Sequence, residues 1–152
     1  MPDPHAFTLV VRWLHVASMA VAVGGAVLLA LFAVDAGAGD RQRALLAIAT
    51  RYEWAFWFAV GLLAMTGVGN IAGFGTGLPQ PTTMWGGILV AKLLSVGALA
   101  VLSVPRTLAI ATLGTRPDLV SARGLSTLRG LYTATAVGLA LILALAVWLS
   151  HG

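Results

Sequence analysis

Four apolar runs of about twenty residues divide the chain, and each is long enough to cross about 30 Å of hydrocarbon as a helix. They lie at about 7–34, 54–74, 84–104 and 130–149. Of the 152 residues, 59% are hydrophobic and 9% charged, against about 25% charged in a soluble domain. The expected fold is therefore all-α: one integral membrane four-helix bundle covering residues 1–152.

The connections carry the remaining signals. "TRYE" offers Thr50 as an N-cap with Glu53 three residues on, a capping-box pattern at the entry to the second span. The stretch before it, "DAGAGDRQRALLAIATRYE", is expected to hold a short helical turn. "GTGLPQPTT" reads as a tight surface turn. Pro105 bends or ends the third span, and an "RPD" turn follows it. The N-terminal "MPDPHAFTLVVRW" is acidic before it is basic, and the apolar run behind it is too long for the core of a signal peptide, so the first span is expected to stay in the mature protein.

Charge sets the orientation. Arg41, Arg43 and Arg51 fall in the first connection, and Arg106, Arg116, Arg123 and Arg129 in the third; the opposite side has Arg12. The positive-inside rule then puts the first and third connections in the cytoplasm and both termini outside, in the periplasm of a bacterial inner membrane. Trp13, Trp85 and Trp148 fall near the outer interface and Trp54 near the inner one. Gly24, Gly25, Gly69 and Gly73 are read as close-packing positions between helices.

Composition excludes several classes of function. The net charge of +4 is no nucleic-acid footprint, because the basic residues sit at the ends of apolar runs. Cysteine is absent, which removes disulfides, thiolate metal sites and thiol catalysis. There is no paired acid, no nucleophile beside a base, and no phosphate loop: "GFGTGLP" precedes no soluble helix.

Two polar residues inside the spans remain to be explained. Lys92 lies eight residues below Met84, roughly 12 Å into the membrane. A lysine at a helix centre costs on the order of 3 kcal/mol. All five acids, Asp3, Asp35, Asp40, Glu53 and Asp118, fall in connections or at span ends. Three explanations follow: the amine snorkels to the interface, it is neutral, or an anionic group from a cofactor, lipid or other subunit meets it. His15 lies at the same depth on the first span, with Ser18 and Met19 a turn further on. Asn70 approaches the outer end of the second span, with Met65 and Thr66 deeper. The ligand-capable residues thus gather in the outer half, and the inner half reads as aliphatic and small. Imidazole binds haem iron and copper, and a thioether suits Cu(I). Haem b on His15, with a propionate near Lys92 and Asn70 beside it, accounts for both residues; copper on His15 and Met19 accounts for one. A histidine hydrogen-bonded to a neighbouring helix is the plain alternative. His5 and His151 read as solvated, and "MPDPH" does not fit an amino-terminal copper site, because its histidine is fifth and proline interrupts the amides.

The order "WLHVASMAVAVGGAVLLAL", "RYEWAFWFAVGLLAMTGVGN", "WGGILVAKLLSVGALAVLSVPR", "LRGLYTATAVGLALILALAVWL" resembles the membrane domain of CopD-type copper-resistance proteins. The marks are "LH" before a GG pair, "TG" late in the second span, "AKL" in the third with an arginine after it, and "LR" opening the fourth. The resemblance implies copper handling at the inner membrane. A related four-helix pattern occurs in HemJ-type protoporphyrinogen oxidases, where a first-span histidine ligates haem b and a third-span lysine is required; His15 and Lys92 occupy those places. That resemblance implies a haem-dependent oxidoreductase as the enzymatic possibility. A different class is a non-catalytic accessory subunit of a respiratory or photosynthetic complex, in which Lys92 meets another subunit's carboxylate or a lipid phosphate. The bilayer is a partner in every reading, other subunits or a homo-oligomer in some, and nucleic acid in none.

Overall fold

The computed structural model describes residues 4–33, 39–72, 82–116 and 121–151, and of 4, 68–72, 85, 122 and 149–151 the backbone course alone. Four helices follow one another: α1 (Pro4–Phe32), α2 (Asp40–Ala72), α3 (Met84–Thr115) and α4 (Ala122–His151). Each contributes one buried stripe at the three-and-four spacing of a helix face. On α1 it is Ser18, Ala22, Ala26, Leu29 and Ala33; on α4 it is Leu128, Tyr132, Thr135, Leu139 and Ile142. The opposite faces are apolar too. Phe7, Trp13, Leu31, Phe58, Leu102 and Trp148 all stand exposed, as lipid contact requires and water does not permit. α1, α3 and α4 are each long and apolar enough to cross a bilayer. The protein is a membrane protein built as a four-helix bundle.

Chain neighbours pack side by side, α1 on α2, α2 on α3, α3 on α4, and α4 closes on α1. Cross-helix pairs show the alternation of direction. His15 meets Thr66 while Ala22 meets Tyr52, and Leu99 lies at Gly138 while Arg106 meets Thr135. Antiparallel order puts the start of α1 and the end of α4 at one end of the bundle, the terminal end. The other end carries Arg41, Arg43, Arg51, Arg116, Arg123 and Arg129, all exposed.

Three boundaries differ from the sequence reading. α4 starts at Ala122 and not near 130, and its stripe already buries Leu128. α2 does not begin at a capping box: it starts at Asp40, after Gly39 in a left-handed conformation at φ 92°. Thr50 lies inside it and donates to Leu46 O at 2.9 Å. The expected short turn is thus fused to the second span, because one stripe (Leu45, Ala49, Tyr52, Phe56, Ala59) runs unbroken through both. α3 continues through Pro105 to Thr115. Its buried positions Ser103, Arg106 and Ile110 keep helical spacing across the proline, which itself faces outward. Ser103 also donates its hydroxyl to Leu99 O at 2.8 Å, one turn back in the same helix.

Gly25 sits against the Tyr52 ring, where any side-chain carbon would overlap it, so this glycine allows α1 and α2 to approach. Gly24 has open space beside it. The second connection up to Pro81, the "RPD" turn with Asp118, and Gly73, Asp3 and Asp35 lie outside the described residues, as do the Gly69, Trp85 and His151 side chains.

Candidate functional site

Two polar layers cross the bundle. Thirteen positions separate Glu53 from Thr66 on α2, and fourteen separate Lys92 from Arg106 on α3; at 1.5 Å per residue the layers are about 20 Å apart.

The layer toward the arginine-rich end corrects the reading that the inner half is aliphatic and that Glu53 and Arg106 belong to connections. Arg106 is 0% exposed and Glu53 5%. The guanidinium meets the carboxylate through two bonds, Nε to Oε1 at 2.9 Å and Nη2 to Oε2 at 3.1 Å. Tyr132 Oη donates to Oε1 at 2.9 Å and Thr107 Oγ1 to Oε2 at 2.6 Å. A carboxylate has about four acceptor sites, and all four are filled. Arg106 Nη1 donates to Thr135 Oγ1 at 2.6 Å. Phe56, Tyr132 and Tyr52 surround the guanidinium with ring centroids at 4.4, 5.1 and 5.6 Å, an aromatic cage for a cation. Trp57 Nε1 donates to Thr107 at 2.9 Å, and Tyr52 Oη reaches Ala22 O at 2.7 Å. Every helix is therefore tied into this layer. It is saturated, with no acceptor site to offer a ligand, and its chemistry is that of a clamp. The basic ring at this end accordingly counts six arginines, because Arg106 of the seven in the first and third connections is inside the bundle.

The layer toward the terminal end has the opposite character. His15 is partly buried, with Nδ1 at 2.8 Å from Thr66 Oγ1. The Thr66 hydroxyl gives its hydrogen to Leu62 O at 2.6 Å, so its oxygen accepts from His15 and the imidazole proton sits on Nδ1. Nε2 then keeps its lone pair, the tautomer that a metal ligand needs. A carbon added at Gly67 would come no nearer than 4.0 Å to His15 Cε1, so that neighbour does not crowd the ring. Lys92, from the diagonally opposite helix, is half-buried and within electrostatic reach of His15. No described carboxylate pairs with it: Asp40 pairs with Arg43, and Glu53 with Arg106.

Packing is also thinner here. Along α3 at 90–98 every residue is exposed except Lys92 and Ser95, which are partly buried. The contiguous core, from Ala22 to Ala33 on α1 and from Leu45 to Ala59 on α2, lies toward the arginine-rich end. Met19 packs on the edge of that core. Asn70 belongs to α2, but its side chain lies outside the described residues. Among the described residues no group of three or more His, Asp or Glu gathers as a metal cage.

The structure thus brings His15, Thr66 and Lys92 to one level. Sequence reasoning finds His15 and Lys92 by depth, but it misses the Glu53–Arg106–Tyr132 clamp. The signal for the clamp is the α3 stripe itself, which includes Arg106 once it is followed past Pro105. No family model, no curated protein and no solved structure matches the chain.

Proposed function

We propose that this chain is a four-span protein of the bacterial cytoplasmic membrane that binds haem b in the terminal half of its bundle. His15 Nε2 would ligate its iron and the Lys92 ammonium would meet a propionate. The observation that carries this reading is the His15–Thr66 bond, which fixes the imidazole with its ligating nitrogen unused. Lys92, with which no described carboxylate pairs, supplies at the same level the positive charge that answers a propionate. Bound there, haem b supplies a redox-active iron within the bilayer. The chain's own residues orient the imidazole, supply the cation and hold the surrounding helices together through the clamp. The reading agrees with the first-span histidine and third-span lysine of HemJ-type enzymes. α2 is the fourth crossing, since Phe58 and Met65 face outward from it as lipid-contacting residues do. The six-arginine end is cytoplasmic by the positive-inside rule.

Copper on His15 and Met19, as in the CopD-type resemblance, is the weaker reading. A copper cation there meets the Lys92 ammonium and has two side-chain ligands at most from the described residues.

A comparison of haem with its dimethyl ester tests the proposal. Esterification removes both propionate charges and leaves the ring and iron unchanged. The wild-type protein is expected to bind haem about tenfold or more tighter than the ester, as a charge-assisted pair of 1.5–3 kcal/mol implies. Lys92→Gln is expected to bind the two alike. Equal binding by the wild type contradicts the role of Lys92, and no binding of either contradicts the site.

A further inference from the structure

Away from the Glu53–Arg106 layer, α3 and α4 present surfaces that repeat. Residues 89–104 of α3 are Leu, Val, Ala, Gly and Ser apart from Lys92, and residues 136–147 of α4 are Ala, Val, Gly, Leu and Ile. Between helices in lipid there is no hydrophobic drive, so packing alone distinguishes one register from the next. A one-turn slip of α3 exchanges like for like over most of its length. Leu99, whose Cδ1 stands 2.8 Å from where a carbon on Gly138 would lie, then meets Ala134 in one direction and Ile142 in the other. Ser95, Ser103 and Thr112 do not resist a slip, since each donates to a carbonyl of its own helix.

Arg106 and Thr107 do resist it. Arg106 reaches Glu53 of α2 and Thr135 of α4, and Thr107 donates to Glu53 and accepts from Trp57. One turn away, Arg106 would face Ala49 or Trp57 on α2 and Leu131 or Leu139 on α4, none of which has a side-chain acceptor. The slip would strand two buried charges, since the guanidinium is 0% exposed and the carboxylate 5%. A single buried polar contact can fix register between packed helices, at a cost in stability that apolar residues do not carry. α3 is one helix from Met84 to Thr115, so its register at Arg106 also sets the level of Lys92. One turn of slip carries the amine about 5 Å along the bundle, away from His15.

We propose that Glu53 and Arg106 are positioning residues. The pair sets the register of α3 against α2 and α4, and thereby holds Lys92 at the level of His15. The apolar faces supply contact, and the ion pair chooses among the alignments those faces allow. The proposal is independent of the haem reading, because it concerns the placement of the helices alone.

Disulfide trapping in the whole protein tests it, and the chain's lack of cysteine leaves no background thiol. L99C/G138C reads the native register, and L99C/A134C reads a one-turn slip; Leu99→Cys also removes the side chain that a carbon at 138 would overlap. Each pair is oxidised in membranes, and the thiols left free are counted by maleimide labelling of the denatured monomer. With Glu53 and Arg106 intact, the native pair is expected to close at least about a hundredfold faster than the slipped pair, because the slip leaves both charges unpaired. With Glu53→Leu and Arg106→Met added, the two pairs are expected to close within about threefold of each other, with helical content kept. A pair that only strengthened the bundle would alter unfolding and leave the ratio unchanged, so a folded double variant that keeps the ratio overturns the proposal. Comparable closure of both pairs beside the intact Glu53 and Arg106 also overturns it. So does a double variant that fails to fold, since the charges then supply stability and not register.

Discussion

Replacing Glu53 by Gln tests the clamp with almost no change of shape. The substitution leaves the Arg106 guanidinium 0% exposed with no counter-charge, and it puts an amide donor where the carboxylate accepts four bonds. Removing one partner of a buried ion pair costs about 3–5 kcal/mol. The informative companion is the double variant Glu53→Leu with Arg106→Met, which removes both charges. Thr107 and Thr135 then still have Ser103 O at 3.2 Å and Leu131 O at 2.8 Å within their own helices. Only the Tyr132 hydroxyl loses its partner, at about 1–3 kcal/mol. The double variant is therefore expected to be more stable than Glu53→Gln, although it changes more atoms. Unfolding in mixed micelles of rising SDS content, followed by helical circular dichroism, measures both. A cost below about 1 kcal/mol for Glu53→Gln would show that the charge is not held in a dry core. A double variant less stable than either single change would show that hydrogen-bond count, and not charge balance, governs the layer.

Four further outcomes follow from the same geometry. Gly25→Ala drives a methyl into the Tyr52 ring and strains the Tyr52–Ala22 bond, so it is expected to destabilise by about 1–3 kcal/mol. Gly24→Ala, in open space on the same helix, is expected to be neutral or stabilising by up to about 1 kcal/mol in the same unfolding assay. Tyr132→Phe removes one of four donors to Glu53 and leaves the ion pair intact, so it is expected to cost about 1–3 kcal/mol, less than Glu53→Gln. Thr66→Val removes the acceptor that orients His15 and is expected to weaken haem binding about 10–100-fold, with Thr66→Ser restoring it; equal affinity in the valine variant would mean that the imidazole is oriented by something else.

The spans were legible because apolar length is a direct reading of hydrocarbon thickness, and counting residues from each span entry was enough to bring His15 and Lys92 to one level. The clamp was not legible for a specific reason. Glutamate and arginine next to loops default to solvent, since burying either alone costs several kcal/mol. Their burial here is made possible by a pairing between Glu53 and Arg106, fifty-three residues apart, and one sequence does not display such a pairing. Two local signals reinforced the misreading: Thr50 three residues before Glu53 imitates a capping box, and Pro105 imitates a stop. Both lie inside continuous helices because the buried stripes of α2 and α3 run through them. The tautomer of His15 was likewise out of reach, because it rests on Thr66 of the neighbouring helix and on where that hydroxyl's hydrogen goes.

The visible absorption spectrum of the protein purified from haem-replete membranes bears most directly on the His15 site. The expected result is a Soret band with stoichiometric haem b in the wild type and its loss in His15→Ala, with the variant eluting and unfolding as the wild type does. A folded wild-type protein that stays colourless after reconstitution with haem, or a His15→Ala variant that keeps the full band, would contradict it.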